Sequence, residues 1–388
     1  MSAFTPLTTT HLSLKTKLLT FTARFQEQLL SNRTIIFTPD GSVYYRCLKS
    51  VWSEDTNDDA RPTETTFHPD YLYAALAEHT PWPSAYNALV IAYSGRSLTK
   101  QSDALNAFAG LQRVLEIRSD DQFLAGIPAC AFDLFCLFTG HMAVLKRRKE
   151  FPSWSWAGWI GPVLFCQLNT THSVDGPHGR QRWLNERTWI HWRKLAQSGK
   201  NDPVWDPVRE SADQKLQYRA RAHFQCRSSP GLLEGKSAVP SPDVVLPPPL
   251  SKNHIRLQFW TLSLHFRIRE VDKVVSCDAK NLLCRGRMVD RDGKLVGSVH
   301  LDDELVTIGQ GRRAEFIVLS ECRDLMGASA LEEIRYPVTQ DWDLYWVMFL
   351  KWDESFKVAE RLGIGQILQE AVNTCLEPGA VWKEIILG

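Results

Sequence analysis

Apolar positions in the first part of the chain recur at helical spacing. Leu18, Phe21, Phe25 and Leu29 fall at i, i+3, i+7 and i+11, one face of an amphipathic helix. Thr34 to Phe37 then alternates as a strand, Asp40-Gly41 is a tight-turn signal, and Val43 to Cys47 supplies the return strand. Residues 53–69 are acidic and polar and predict an exposed loop. Helical spacing resumes at Tyr71, Ala74, Ala75 and Leu76 and again over Pro83 to Ser94. Ser102-Asp103 offers a cap for a helix that would present Leu105, Phe108, Leu111 and Leu115 on one face. Gly126 to Leu145 is rich in Phe, Leu and Ala and predicts a buried helix with Pro128 in its first turn. The run Lys146-Arg147-Arg148-Lys149 after it predicts a solvated helix end.

Beyond Phe151 the period changes. Val163 to Leu168 predicts a strand. Residues 169–252 are polar and end in a Pro-rich run, so they predict an insertion and linker, partly disordered, with helix over Trp183 to Ala196. From Ile255 the alternation is of period two: Ile255 to Ile268, Leu282 to Val289, Lys294 to Leu301, Ala314 to Ser320 and Tyr345 to Trp352. Asp290 to Gly293 predicts a hairpin turn, and Gln366 to Thr374 a final helix. The predicted fold is α+β: a helix–hairpin unit (1–50), a helical middle (51–150), a Trp-rich junction (151–168), the insertion (169–252), and a C-terminal antiparallel β-rich region closed by a helix (253–388).

Charge narrows the possible partners. With 45 Lys and Arg against 44 Asp and Glu, the net charge of +1 gives no global field for nucleic acid. Arg267, Arg269, Arg285, Arg287 and Arg291 crowd one β stretch, the solvated face of strands or else a phosphate-binding surface. Gly126 to Leu145 is long enough for a membrane span, but Asp133 at mid-span would cost roughly 2.5–3.5 kcal/mol, so no span is expected. Nine cysteines at irregular spacing, with no C-x-x-C, argue for reduced thiols in a cytoplasmic protein, and no leader is expected. No metal-ligand spacing occurs among the histidines, so neither metal nor cofactor is expected. Gly309-Gln310-Gly311-Arg312-Arg313-Ala314 has dinucleotide-like spacing, but a strand follows it and it predicts a turn.

The densest signal is Phe151-Pro152-Ser153-Trp154-Ser155-Trp156-Ala157-Gly158-Trp159-Ile160-Gly161-Pro162-Val163. Strand-like alternation would put Trp154 and Trp156 on one face and Ser153 and Ser155 on the other. Two readings stand: Trp154, Trp156 and Trp159 weld a structural corner, or their faces stack on a planar ligand.

This string resembles the segment downstream of the heterokaryon-incompatibility (HET) domain in filamentous-fungal proteins. Tyr93 to Thr99 with Arg96, Asp103 to Gly110 with Asn106, Phe123 to Pro128, Glu315 to Ser320, Ala359 to Gly365 and Trp382 to Gly388 are similar to further stretches of that family. Phe25-Gln26-Glu27-Gln28-Leu29-Leu30-Ser31-Asn32-Arg33 resembles the last block of the HET domain, with Ala23-Arg24 where the family has Trp-Thr. Its conserved positions fall on Gln26, Glu27, Ser31 and Arg33. The family's earlier blocks find no match, so residues 1–50 are expected to be an N-terminally truncated remnant of an α/β HET domain. The resemblance implies a role in non-self recognition and programmed cell death through an unknown protein partner, non-catalytic in this form. HET domains resemble Toll/interleukin-1-receptor folds, some of which cleave NAD with a Glu. The alternative is therefore an NAD-cleaving enzyme using Glu27 once the missing blocks are supplied. Glu27 lies roughly opposite the apolar stripe and is expected to be exposed.

Overall fold

The computed structural model describes residues 25–37, 41–47, 51–53, 72, 75–76, 79–140, 144–166, 183–184, 187–188, 190–195, 201–204, 255–275, 282–301, 311–323 and 342–388. The chain forms two compact units, 1–120 and 121–388.

In the first unit, helix α1 (Phe25–Leu30) leads into a three-stranded antiparallel sheet of β1 (Arg33–Phe37), β2 (Val43–Cys47) and β3 (Val51–Ser53). The predicted helix face survives as buried Phe25 and Leu29, while its Leu18 and Phe21 lie outside the described residues. Gly41 takes φ +88° at the predicted turn, a region open to Gly at no steric cost. Helix α2 (Trp82–Ser94) has a Pro in its first turn and buries Tyr86, Leu89, Val90 and Tyr93. Helix α3 (Ala109–Ser119) buries Leu111 and Leu115, as the spacing predicts, but starts later than Ser102-Asp103. Short 3-10 turns, Gln101–Asp103 and Asn106–Phe108, occupy the predicted first helical turns instead.

The second unit departs from its predicted helix. Gly126 to Leu145 folds as a small hairpin, β4 (Phe123–Leu124) with β5 (Ile127–Pro128), then a 3-10 turn, the one-turn helix α4 (Phe132–Phe135) and strand β6 (Phe138–Gly140). Residues 132–139 are all buried, Asp133 and Thr139 included, and a run buried on every side carries no amphipathic period to separate helix from strand. Ala125 and Gly126 at positive φ turn the chain just before it. The basic run is likewise no solvated helix end. It forms β7 (Lys146–Arg147), paired with β8 (Trp159–Ile160), and places Arg148 in the interior. Strand β9 (Val163–Phe165) pairs with β6. Among the described residues no helix is long and apolar enough to cross a membrane.

Most of the polar insertion lies outside the described residues, but it contributes β10 (Arg193–Leu195) and β11 (Asn201–Pro203). Of the helix expected over Trp183 to Ala196, positions 183–184 and 187 are helical and 190–195 are not, and Trp183 and Trp192 are buried.

The C-terminal region is the large antiparallel sheet that the alternation predicts. Strands β12 (Arg256–Val275), β13 (Leu282–Val289), β14 (Leu295–Leu301), β15 (Arg313–Cys322), β16 (Leu344–Trp352) and β17 (Ala359–Leu368) pair in the order β12-β13-β14-β17-β16-β15. A further pairing of β15 with β12 closes the ring into a six-stranded barrel, which leaves these strands no free edge. Gln366 to Thr374 is not a helix. Strand β17 runs through Leu368, a 3-10 turn covers Gln369–Asn373, and β18 (Val381–Leu387) ends the fold along the first half of β12. Leu362, Ile364, Gln366 and Leu368 continue a period of two, and pairing on both edges of β17 overrides local helix preference.

Leu264, Phe266, Ile268, Met288, Val299, Phe316, Val347, Phe349 and Ile367 are all buried and share the inner barrel face. The rings of Phe266, Phe316 and Phe349 follow one another at 6.0 and 5.1 Å. Gly365 and Gly363 let strands cross closely: a Cβ would lie 2.4 Å from the Ser298 carbonyl oxygen and 2.2 Å from that of His300, respectively. The opposite face carries His265, Arg267, Arg285, Arg313 and Glu315, as strand alternation requires.

Candidate functional site

The Trp string is a turn, not a strand. Ser155 is extended, Trp156–Gly158 forms a 3-10 turn, and only Trp159–Ile160 pairs as β-structure. Trp and Ser therefore do not sort onto opposite faces. Trp154, Trp156 and Trp159 are 0%, 1% and 3% exposed, so none offers an open ring to a ligand. The Trp156 indole donates to the Gly126 carbonyl (3.2 Å) and the Trp159 indole to that of Ser153 (2.7 Å). The Ser155 hydroxyl donates to the Ala125 carbonyl (2.6 Å) and accepts from the Ala157 amide (3.0 Å). Ser153 holds the C-terminal strands. Its amide and its hydroxyl both donate to the Gly388 carbonyl, and its oxygen accepts the Arg361 amide (2.8 Å). Gly158 is required because a Cβ there would meet the Pro152 carbonyl oxygen at 2.2 Å. These contacts fit the structural-corner reading of the string.

Two buried arginines complete this corner. Arg148 donates to the carbonyls of Ala157 (2.7 Å) and Trp159 (2.9 Å). The Arg361 guanidinium sits 3.5 Å over the Phe138 ring and donates to the Phe138 carbonyl. Arg147 bridges to Glu360 at 3.0 Å. Nearby, burial pushes the Cys166 thiol up to about 12 despite the opposing Arg361 charge. Burial, with the Asp133 charge adding to it, also raises Cys136 well above its ordinary value. Both stay protonated near neutral pH and are poor nucleophiles.

Of the first-unit residues that carry the resemblance, Gln26 and Asn106 meet at the start of α3. The Gly110 amide donates to Gln26 Oε1 (2.8 Å), and Gln26 Nε2 donates to the Ala107 carbonyl and, at 3.4 Å, to that of Asn106. Gln26 thus caps the helix start that Ser102-Asp103 was expected to cap. Arg96 donates to the Ala92 carbonyl (3.2 Å) and lies 4.2 Å over the Phe25 ring. The Ser31 amide closes α1 on the Glu27 carbonyl (3.1 Å), Arg33 is exposed on β1, and Asp103 sits in the first 3-10 turn. The Glu27 side chain is exposed.

The polar cluster on the outer barrel face carried no sequence motif. Glu315 accepts from Ser263 Oγ (2.7 Å), Trp352 Nε1 (2.7 Å) and Lys383 Nζ (2.8 Å), and His265 Nε2 lies 3.8 Å away. Its four partners come from three strands, which no local spacing could reveal. Burial alone would raise the Glu315 carboxyl, but the donors Lys383 and Ser263, the Lys383 charge and Trp352 outweigh it and hold it below the usual carboxylate range. His265 is lowered by burial first and by Arg313 next, with Glu315 opposing, so its imidazole is neutral near pH 7. The Ser263 hydroxyl is bound to the carboxylate rather than to the imidazole, so the group lacks a nucleophile–base pair. Among the described residues no group of three or more His, Cys, Asp or Glu is placed to hold a metal. Comparison of the chain with models of protein families, with characterised proteins and with solved structures returns no match.

Proposed function

We propose that this is a HET-type protein of fungal non-self recognition, acting in the cytoplasm on cell-death regulation through a protein partner and without catalysis. One observation carries the non-catalytic part: the residues behind the resemblance are spent on interior contacts. Gln26 caps α3, Arg96 covers Phe25, Ser153 ties down the C-terminal strands, and the indoles of Trp156 and Trp159 hold backbone carbonyls. Glu27, the carboxylate that NAD cleavage would use, is exposed on a six-residue helix, whereas a catalytic carboxylate needs a walled pocket and a partner donor.

Inducible expression of the wild-type chain and of Glu27→Ala in a filamentous fungus, with cellular NAD followed alongside growth, tests this reading. Equal growth arrest by both proteins at unchanged NAD is the expected result. Arrest and NAD loss that vanish in Glu27→Ala would establish the NAD-cleaving alternative. Normal growth with both proteins present at verified levels would remove the cell-death role.

A further inference from the structure

Arg267 on β12 and Arg313 on β15 are direct cross-strand partners in the antiparallel register. The Ile268 amide donates to the Arg312 carbonyl (3.4 Å), which makes the neighbouring 267/313 pair a non-hydrogen-bonded one. Side chains approach most closely at such pairs, with Cβ atoms roughly 4.5–5.5 Å apart. Both arginines are exposed, and Arg269 and Arg312 beside them are exposed too. None of the four makes an ion pair among the described residues. Like charges set directly opposite destabilise a sheet, so the facing pair adds positive charge at one point at a cost to folding stability.

Further polar groups stand beside the pair. One step along the same face, His265 stands opposite Glu315. The Glu315 carboxylate is already occupied by Lys383, Ser263 and Trp352, so it leaves little net negative charge toward the arginines. Lys383, from β18, is held between that carboxylate and the Trp352 ring, 4.1 Å from its centroid. Beneath them the Leu376 amide donates to the His265 carbonyl (2.9 Å), anchoring the strand. Two guanidinium forks beside a neutral imidazole match the oxygen geometry and charge of a phosphate dianion.

We propose that Arg267 and Arg313, with His265 at their side, form a binding site for a phosphate group, as inorganic phosphate or a small phosphomonoester. The site does not depend on the HET reading. It is also compatible with the chain's near-neutral charge, because the charge is local.

The test uses the full chain and inorganic phosphate, with chloride at matched ionic strength as control. Phosphate should raise the thermal unfolding midpoint above the chloride control and should shift the His265 imidazole resonance. Arg313→Ala and Arg267→Ala should each weaken phosphate binding by roughly 10- to 100-fold, the loss of one charge-assisted hydrogen-bond partner. Because both side chains are exposed, each variant without phosphate should unfold no earlier than the wild type, which separates loss of binding from loss of fold. Equal effects of chloride and phosphate, or phosphate binding retained in both variants, would overturn the proposal. Binding of a polyanion such as heparin with no response to phosphate would overturn it as well.

Discussion

Ser153 shows how much one small side chain can hold. Its amide and hydroxyl converge on the Gly388 carbonyl, and its oxygen takes the Arg361 amide at 2.8 Å, all at a fully buried position. Ser153→Ala removes the hydroxyl and leaves a buried amide without that acceptor, which should cost about 1–3 kcal/mol. A urea unfolding midpoint unchanged in Ser153→Ala would show that these bonds add nothing. Such roles were partly legible. The Pro-Ser-Trp-Ser-Trp-Ala-Gly-Trp string announced itself by composition, but the partners of Ser153 lie more than two hundred residues away and leave no local trace. Arg148 was misread for a related reason. A run of four basic residues predicts solvent, yet carbonyls from the turn at Ala157 and Trp159 draw that one inward. Gln26 shows in the sequence only as part of a resemblance, and its role as the cap of α3 depends on the fold.

At the scale of elements, legibility was uneven. Strands β13 to β16 lie within a residue or two of their predicted limits, although β15 and β16 are buried on both faces along most of their length. Over residues 132–139 every position is buried, Asp133 and Thr139 included, and the helix expected there gave way to α4 and β6. Strand β17 hid its nature in another way. Its glycines look like breakers, yet they are what lets the narrow ring close. Gly365→Ala would place a Cβ 2.4 Å from the Ser298 carbonyl oxygen, in backbone that cannot swing aside. The variant should lose about 1–3 kcal/mol or more, as overpacked cores do. An unaltered midpoint in a urea titration of Gly365→Ala would count against the close crossing of β14 and β17.

At the scale of the whole molecule, the second unit is a closed barrel whose C-terminal strands are fastened by the Trp string. The barrel interior is apolar, and the polar chemistry lies outside it, around Glu315 and the facing pair Arg267 and Arg313. The sequence pointed to Trp154, Trp156 and Trp159 as the place to look, and either a weld or a stacking platform was compatible with it. Burial and hydrogen bonding favour the weld. The most direct measurement is hydrogen exchange at the indole N–H groups of Trp156 and Trp159, followed by NMR and assigned with single Trp→Phe variants. Bound to the Gly126 and Ser153 carbonyls in the interior, both should exchange only through global unfolding and should keep their resonances when NAD or phosphate is added. Exchange at the rate of a free indole, or a shift on adding a planar ligand, would contradict the structural role assigned to the string.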